Sequence, residues 1–411
     1  MGKPATQLPV KALNPLLDTH GIQHTWELLL NTHAASHGET DHGLLSTDEK
    51  LETDLLTDLS IGNIAVLYEY SLAHVNADSR KNEGQYFTPD DVASTLAGFS
   101  CSFPPGATWL DPCSGVGNLS YHLAELQSNP TDFILNHLYL VDKDPLALLI
   151  ARFFFSLTLR KSREDFAETF MEFGQRCIEA DYLSLDTPAY DYAILNPPYV
   201  STAKDERFVT ADCKDYYAYF LEKVISESHG FISVTPQSFM HLSRFSSLRQ
   251  LLVSNMQRVT MYSFDNMPGK VFGGVKYGTK NTNKGNSIRP CMMVAIKEST
   301  HPEWTTSPLL RWTAAERSAL FSSLPSHKTV FAPDTALFPK TGRNLIGLYK
   351  SVCEAPRALG DLVGEGEYVL HLPILSGFEP VDSRSCLDLT NGFYGDTIII
   401  DNSISPGIPS P

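Results

Sequence analysis

The sequence predicts an α/β fold: a doubly wound, largely parallel sheet with a helical region before it and a small mixed region after it. Two observations carry that reading. Between residues 84 and 298, short apolar runs alternate with stretches of helical periodicity, the pattern of a sheet wound by crossover helices. Several of those runs end in Asp-Pro, Asp-x-Asp-Pro or Asn-Pro-Pro, polar corners at the carboxyl edge where open α/β sheets bind ligands.

Taken in order, residues 1–42 are mixed and His-rich, with little periodicity. Ser46 followed by Glu49 reads as a capping box. It predicts an acidic amphipathic helix with Leu51, Leu55, Leu56 and Leu59 on one face. A second helix is expected over 61–74, which makes 1–80 a helical N-terminal region. Strands are predicted at 108–110, 137–141, 176–180, 192–195, 230–234, 259–264 and 291–296. Helices fit between them at 118–127, 145–159, 216–227 and 238–255, so 81–299 reads as one α/β domain. Beyond 300 the signal weakens into short strands, turns and a Pro/Ser tail at 402–411. That leaves 300–411 as a small C-terminal region for target recognition or partner contact. Trp304, Trp312 and Tyr349 could serve a recognition module there, with burial in a core as the alternative.

At 411 residues, with 42% hydrophobic and 19% charged residues, the chain is ordinary for a globular protein of two or three domains. No run of eighteen apolar residues and no apolar signal stretch at the start are present. Seven cysteines stand apart without a Cys-x-x-Cys pair, which argues against zinc and against a disulfide framework. A cytoplasmic protein with reduced thiols is the expectation. The net charge of −15 conflicts with phosphate binding, which needs Lys and Arg. Its distribution softens the conflict. Residues 1–60 hold nine acids against three bases, whereas 266–297 hold Lys270, Lys276, Lys280, Lys284, Arg289 and Lys297 and no acid. An acidic protein can present one basic face; a solvated loop is the other reading of this stretch.

Asn196-Pro197-Pro198-Tyr199 closes the strand at 192–195. Two prolines fix φ and remove two N–H donors, so the corner offers carbonyl oxygens in a fixed direction. An amino group could donate both hydrogens there, one to the Asn196 side-chain oxygen and one to the Pro197 carbonyl, with Tyr199 as a flat face for its ring. A plain Pro-rich turn is the alternative. Earlier in the chain, Asp111, Gly115 and Gly117 lie in a strand-to-helix turn, where glycines admit a ligand and the helix N-terminus favours a carboxylate. The next strand ends in Asp142, placed for ribose hydroxyls, and the third in Asp181-Tyr182, placed for a purine edge. Each acid alone also fits a helix cap, and Asp144 before Pro145 is the better cap.

This order of motifs resembles the S-adenosylmethionine-dependent amino-methyltransferases that modify adenine N6 in DNA. Within them it is similar to the γ class and to the modification subunits of type I restriction systems. Gly84 to Val92, which contains Phe87-Thr88-Pro89, matches the motif that precedes their glycine loop, and Tyr68-Glu69-Tyr70 the end of their helical leader. The likeness covers about 60 to 298 and implies a seven-stranded Rossmann-like methyltransferase sheet. It implies that Thr88 and Pro89 hold the methionine moiety of the cofactor, and that Asp111, Gly115 and Gly117 shape the loop around it. Asp142 would take the ribose, and Asp181 with Tyr182 the cofactor adenine. Asn196, Pro197, Pro198 and Tyr199 would be catalytic, Phe272 would pack on the target base, and Lys270, Lys276, Lys280 and Lys284 would meet DNA. The implied partners are double-stranded DNA and a DNA-specificity subunit or restriction partner, in a bacterial, plasmid- or phage-encoded protein. Methylation of N4-cytosine, an RNA base or protein glutamine on the same fold stays open, as does a subunit without catalysis of its own.

Overall fold

The computed structural model describes residues 8–40, 43–75, 88–160, 165–272, 276–277, 280–281, 288–324, 329–333 and 338–340. Gly84, Gln85, Tyr86, Phe87, Lys284 and Tyr349 lie outside them, as do the side chains of Lys276 and Lys280.

Eleven strands are described: β1 (Trp109–Asp111), β2 (Leu138–Asp142), β3 (Cys177–Glu179), β4 (Tyr192–Leu195), β5 (Gly230–Pro236), β6 (Arg258–Ser263), β7 (Lys276–Tyr277), β8 (Lys280–Asn281), β9 (Pro290–Ile296), β10 (Glu303–Thr306) and β11 (Thr329–Val330). Nine form one mixed sheet in the order β11-β10-β6-β9-β5-β4-β1-β2-β3, and β7 pairs with β8 separately. β9 runs antiparallel between β5 and β6, while β4, β1, β2 and β3 are parallel neighbours. The seven strands expected from sequence are all in this sheet. The count of seven is corrected to nine, because β10 adds in parallel to β6 and β11 caps it antiparallel. Trp304 of β10 explains the extension: it is 5% exposed and packs on Phe331 and Phe338. Trp312 is buried too, against Phe264 and Phe321, so both tryptophans serve the core.

Strand residues alternate between two cores, as a period of two requires when both faces of a sheet are covered. Trp109, Ile194, Ile232 and Met292 face one core, and Leu110, Leu195, Phe231 and Met293 the other. The first face is covered by α3 (Asp90–Gly98), α4 (Asn118–Glu125) and α5 (Pro145–Thr158), and the second by α7 (Tyr216–Glu227) and α8 (Ser246–Asn255). α5 is apolar all round, the mark of a helix buried on both sides. Leu148, Ala151 and Phe155 meet the sheet core. Ile150, Phe153, Phe154 and Leu157 meet a third core built with α1 (Val10–Ser36), α2 (Ile61–Val75) and α6 (Phe166–Gly174). Among the described residues no helix is long and apolar enough to cross a membrane.

Two N-terminal expectations are corrected. α1 fills the stretch read as unpatterned, and it is broken at Gly21 (φ 71°, ψ 177°), which resets the phase of its apolar face. No helix forms over 46–59. Polar groups on α1 take that segment instead: Ser46 Oγ donates to the Glu27 carboxylate, Leu51 N–H to Thr32 Oγ1 (2.8 Å) and Asn31 Nδ2 to Glu49 O (3.4 Å). A local capping preference loses to these tertiary bonds.

Three helices meet at Asp90, whose carboxylate accepts from Gly62 N–H (2.9 Å), Ser60 Oγ and His122 Nε2 (3.3 Å). Burial pulls the His122 pKa down, but bonds to Asp90 and Glu125 outweigh it and raise the value from 6.5 to about 9. A folded pKa above the unfolded one gives stability that is full below pH 6.5 and lost as pH rises through about 9. The melting temperature should therefore fall across that window, and His122→Leu should flatten the fall; a wild-type profile already flat from pH 6.5 to 9 would contradict this junction.

Candidate active site at the carboxyl edge of the sheet

A cavity of about 790 Å³ opens where β1, β2 and β4 end, within the size range of small-molecule sites. Thr88, Asp111, Gly115, Asp142, Asp181, Tyr182, Asn196 and Pro198 all line it. Ile22, Tyr68 and Leu72 close one side from the N-terminal helices.

The glycine turn is built for close approach. Gly115 and Gly117 have φ of 53° and 83°, a region that suits glycine. A Cβ at Gly117 would stand 2.7 Å from the Phe155 ring. Gly117 precedes α4, and Pro89 precedes α3. Gly115 N–H donates to Asp142 Oδ2 (2.7 Å) and Asp144 N–H to Asp142 Oδ1 (3.0 Å), so Asp142 fixes the glycine loop and the start of α5 together. Withdrawal from bulk water raises the Asp142 pKa despite these bonds. Asp111 is 1% exposed; burial pushes its pKa up to about 7, against a bond from Ser120 Oγ (2.7 Å). Asp144 caps α5, accepting from Leu146 and Ala147 N–H, and its second oxygen accepts from Tyr68 O–H (2.6 Å). Asp181 accepts from Leu183 N–H (3.1 Å) and pairs with Lys143 Nζ (2.9 Å). Tyr182 is buried, its hydroxyl donating to Glu227 Oε2 (3.1 Å), and burial drives its pKa far above the usual phenol value.

Asn196 is held by the opposite wall. Its Nδ2 donates to Thr88 Oγ1 (3.0 Å), which fixes the amide so that Oδ1 is the acceptor end. Thr88 is tied in turn by Asn118 Nδ2, which donates to its carbonyl (2.6 Å). The Tyr199 hydroxyl reaches both Asn196 Oδ1 (2.5 Å) and Val234 O (2.8 Å), and its one proton serves one of them at a time. The Tyr199 ring stands edge-on to Phe272 at 6.0 Å. Phe272 is 3% exposed, Pro197 is buried, and Lys270 is exposed.

The cavity thus gathers residues from four strand ends that lie far apart in sequence. Asn118 and Lys143 were not anticipated as parts of it. Asn118 shows no local signal, since its partner Thr88 is thirty residues away. Lys143 sits between Asp142 and Asp144, and its proximity to the strand-end acids was the available clue.

The family described as Eco57I restriction-modification methylase matches residues 136–272. The curated type II methyltransferase M.VspI of Vibrio sp. (strain 343) is 27% identical over 223 residues, 51% of this chain and 48% of the relative. The chain therefore spans about half the length of that relative. Among solved structures, the DrdV–DNA complex superposes with a TM-score of 0.53 at 15% identity, over 67% of this chain and 33% of that one. A modification subunit of a putative type I restriction enzyme from Vibrio vulnificus YJ016 aligns at 13% identity with a TM-score of 0.48, over 85% and 99%. Residues 136–272, which hold Asp142, Asp181, Asn196 and Phe272, are thus similar to restriction-modification methylases, in line with the order of motifs.

Proposed function

We propose that the protein transfers a methyl group from S-adenosylmethionine to the N6 amino group of adenine in double-stranded DNA, at a specific site and in a restriction-modification setting. One observation carries the reading. The Asn196 amide, oriented by Thr88, lines the same cavity as the three acids at the ends of β1, β2 and beyond β3.

The cavity fits the cofactor. Its volume suits a nucleoside with an amino-acid tail, and Asp142 and Asp181, which line it, would take ribose hydroxyls and a purine amine. Burial raises the pKa of Asp111 and Asp142, and a cationic ligand beside them would shift both back towards the carboxylate. When bound, S-adenosylmethionine supplies an electrophilic methyl on sulfur. The chain supplies the rest. Adenine N6 is a poor nucleophile because its lone pair is delocalised into the ring. Asn196 Oδ1 and the Pro197 carbonyl would accept its two hydrogens, drawing the nitrogen towards sp³ and freeing the lone pair for in-line attack. Positioning and fixed dipoles lower the barrier. The base must leave the duplex, at a cost of a few kcal/mol, and stacking on Tyr199 would return about 1–3 kcal/mol.

Purified protein with labelled S-adenosylmethionine, offered duplex DNA, RNA and peptide in parallel, tests this. Label should enter DNA alone and elute as N6-methyladenine after nucleoside digestion. Label on cytosine, RNA or glutamine would replace the reading with the corresponding member of the same chemistry.

A further inference from the structure

We propose that Arg317 is a positioning residue that sets the spacing between the two walls of the target-base pocket; this rests on the DNA-methylation reading. Arg317 opens α9 (Arg317–Ser322), far in sequence from every residue assigned to the site. Its guanidinium grips two segments at once. Nε donates to Asp91 Oδ2 (2.6 Å) and Nη2 to Asp91 Oδ1 (2.9 Å), the fork geometry that fixes a carboxylate in plane. Nη2 also donates to Val271 O (3.0 Å) and Nη1 to Lys270 O.

Both segments lead to Asn196. Asp91 lies in the first turn of α3, three residues after Thr88, whose hydroxyl receives the Asn196 amide. Lys270 and Val271 directly precede Phe272, which stands edge-on to Tyr199, and Tyr199 in turn reaches Asn196 Oδ1. One side chain therefore ties the Thr88 wall to the Phe272 wall. An exposed ion pair serving only to hold α9 in place would involve Asp91 alone; the bonds to two successive carbonyls before Phe272 are what such a role leaves unexplained. Docking of α9 has a bond of another origin: the Thr95 hydroxyl reaches Phe321 O (2.7 Å) and Asp91 O in its own helix (2.7 Å), its one proton serving one of them at a time.

The test uses the full chain with Arg317→Gln, Arg317→Lys and Thr95→Val, with kinetics on DNA that the wild type methylates and base extrusion read on a second duplex in which 2-aminopurine, which has no N6 amine, replaces the target adenine. Arg317→Gln should lower kcat/KM for DNA by about tenfold or more and weaken the 2-aminopurine signal, with cofactor affinity within about threefold of wild type. Lysine, a point charge without the planar fork, should restore little. Thr95→Val should lower the melting temperature and leave DNA kinetics unchanged. DNA kinetics within about twofold of wild type in Arg317→Gln would overturn the assignment, as would full rescue by lysine or an equal kinetic loss in Thr95→Val. Should Arg317→Gln not fold, the lysine variant still decides. A wild type that modifies no DNA would overturn the reading of function itself, an outcome visible before any variant is made.

Discussion

Asn196→Ala is expected to cut methyl transfer to DNA by roughly 10²–10³ in kcat, the usual loss when one preorganised dipole aimed at developing charge is removed. Affinity for S-adenosylmethionine should stay within about threefold of wild type, because the proposed mechanism has Asn196 Oδ1 act on the target amine and not on the cofactor. The structure sharpens the expectation. Thr88 fixes the amide from its nitrogen end and Tyr199 approaches its oxygen, so alanine removes an acceptor that two other residues hold in place. Single-turnover transfer of labelled methyl, with calorimetric titration of the cofactor, separates the two quantities. A rate near wild type, or an equal loss of cofactor affinity, would remove Asn196 from the chemistry.

Asp142→Ala is expected to weaken S-adenosylmethionine binding by about a hundredfold, since hydrogen bonds to a charged group contribute about 1.5–3 kcal/mol each and two ribose hydroxyls are available. Part of the loss would come through the protein. Without the carboxylate, Gly115 N–H and Asp144 N–H lose their acceptor, and the glycine loop comes free of the start of α5. At saturating cofactor, kcat should return to within a few-fold of wild type. Asp142→Asn, which keeps an acceptor, should fall between. Unchanged affinity in Asp142→Ala would mean that the carboxylate serves the loop alone.

The seven predicted strands were legible as short apolar runs, near-continuous where both faces are covered, as in β4, β5 and β9. β10 was not: Glu303, Thr305 and Thr306 surround Trp304, and β11 has two residues. The N-terminal region misled in both directions. Gly21 interrupts the periodicity of α1, and the capping signal at Ser46 and Glu49 gives way to Glu27, Asn31 and Thr32 on a neighbouring helix. At the site, acids at strand ends declare themselves because topology carries them to one edge. Asn118, Lys143 and Arg317 do not, because each acts through a partner distant in sequence: Thr88, Asp181 and Asp91.

The doubly buried α5 bears on where this protein can be divided. Phe153, Phe154 and Leu157 pack with Trp26, Leu29, Leu30 and Tyr68 in one dry interior, and the Tyr68 hydroxyl holds the acid that starts α5. The N-terminal helices thus form a structural wall of the cavity and not a removable handle. A boundary drawn at residue 80 would slice through that interior and leave an aromatic scar beside the cavity.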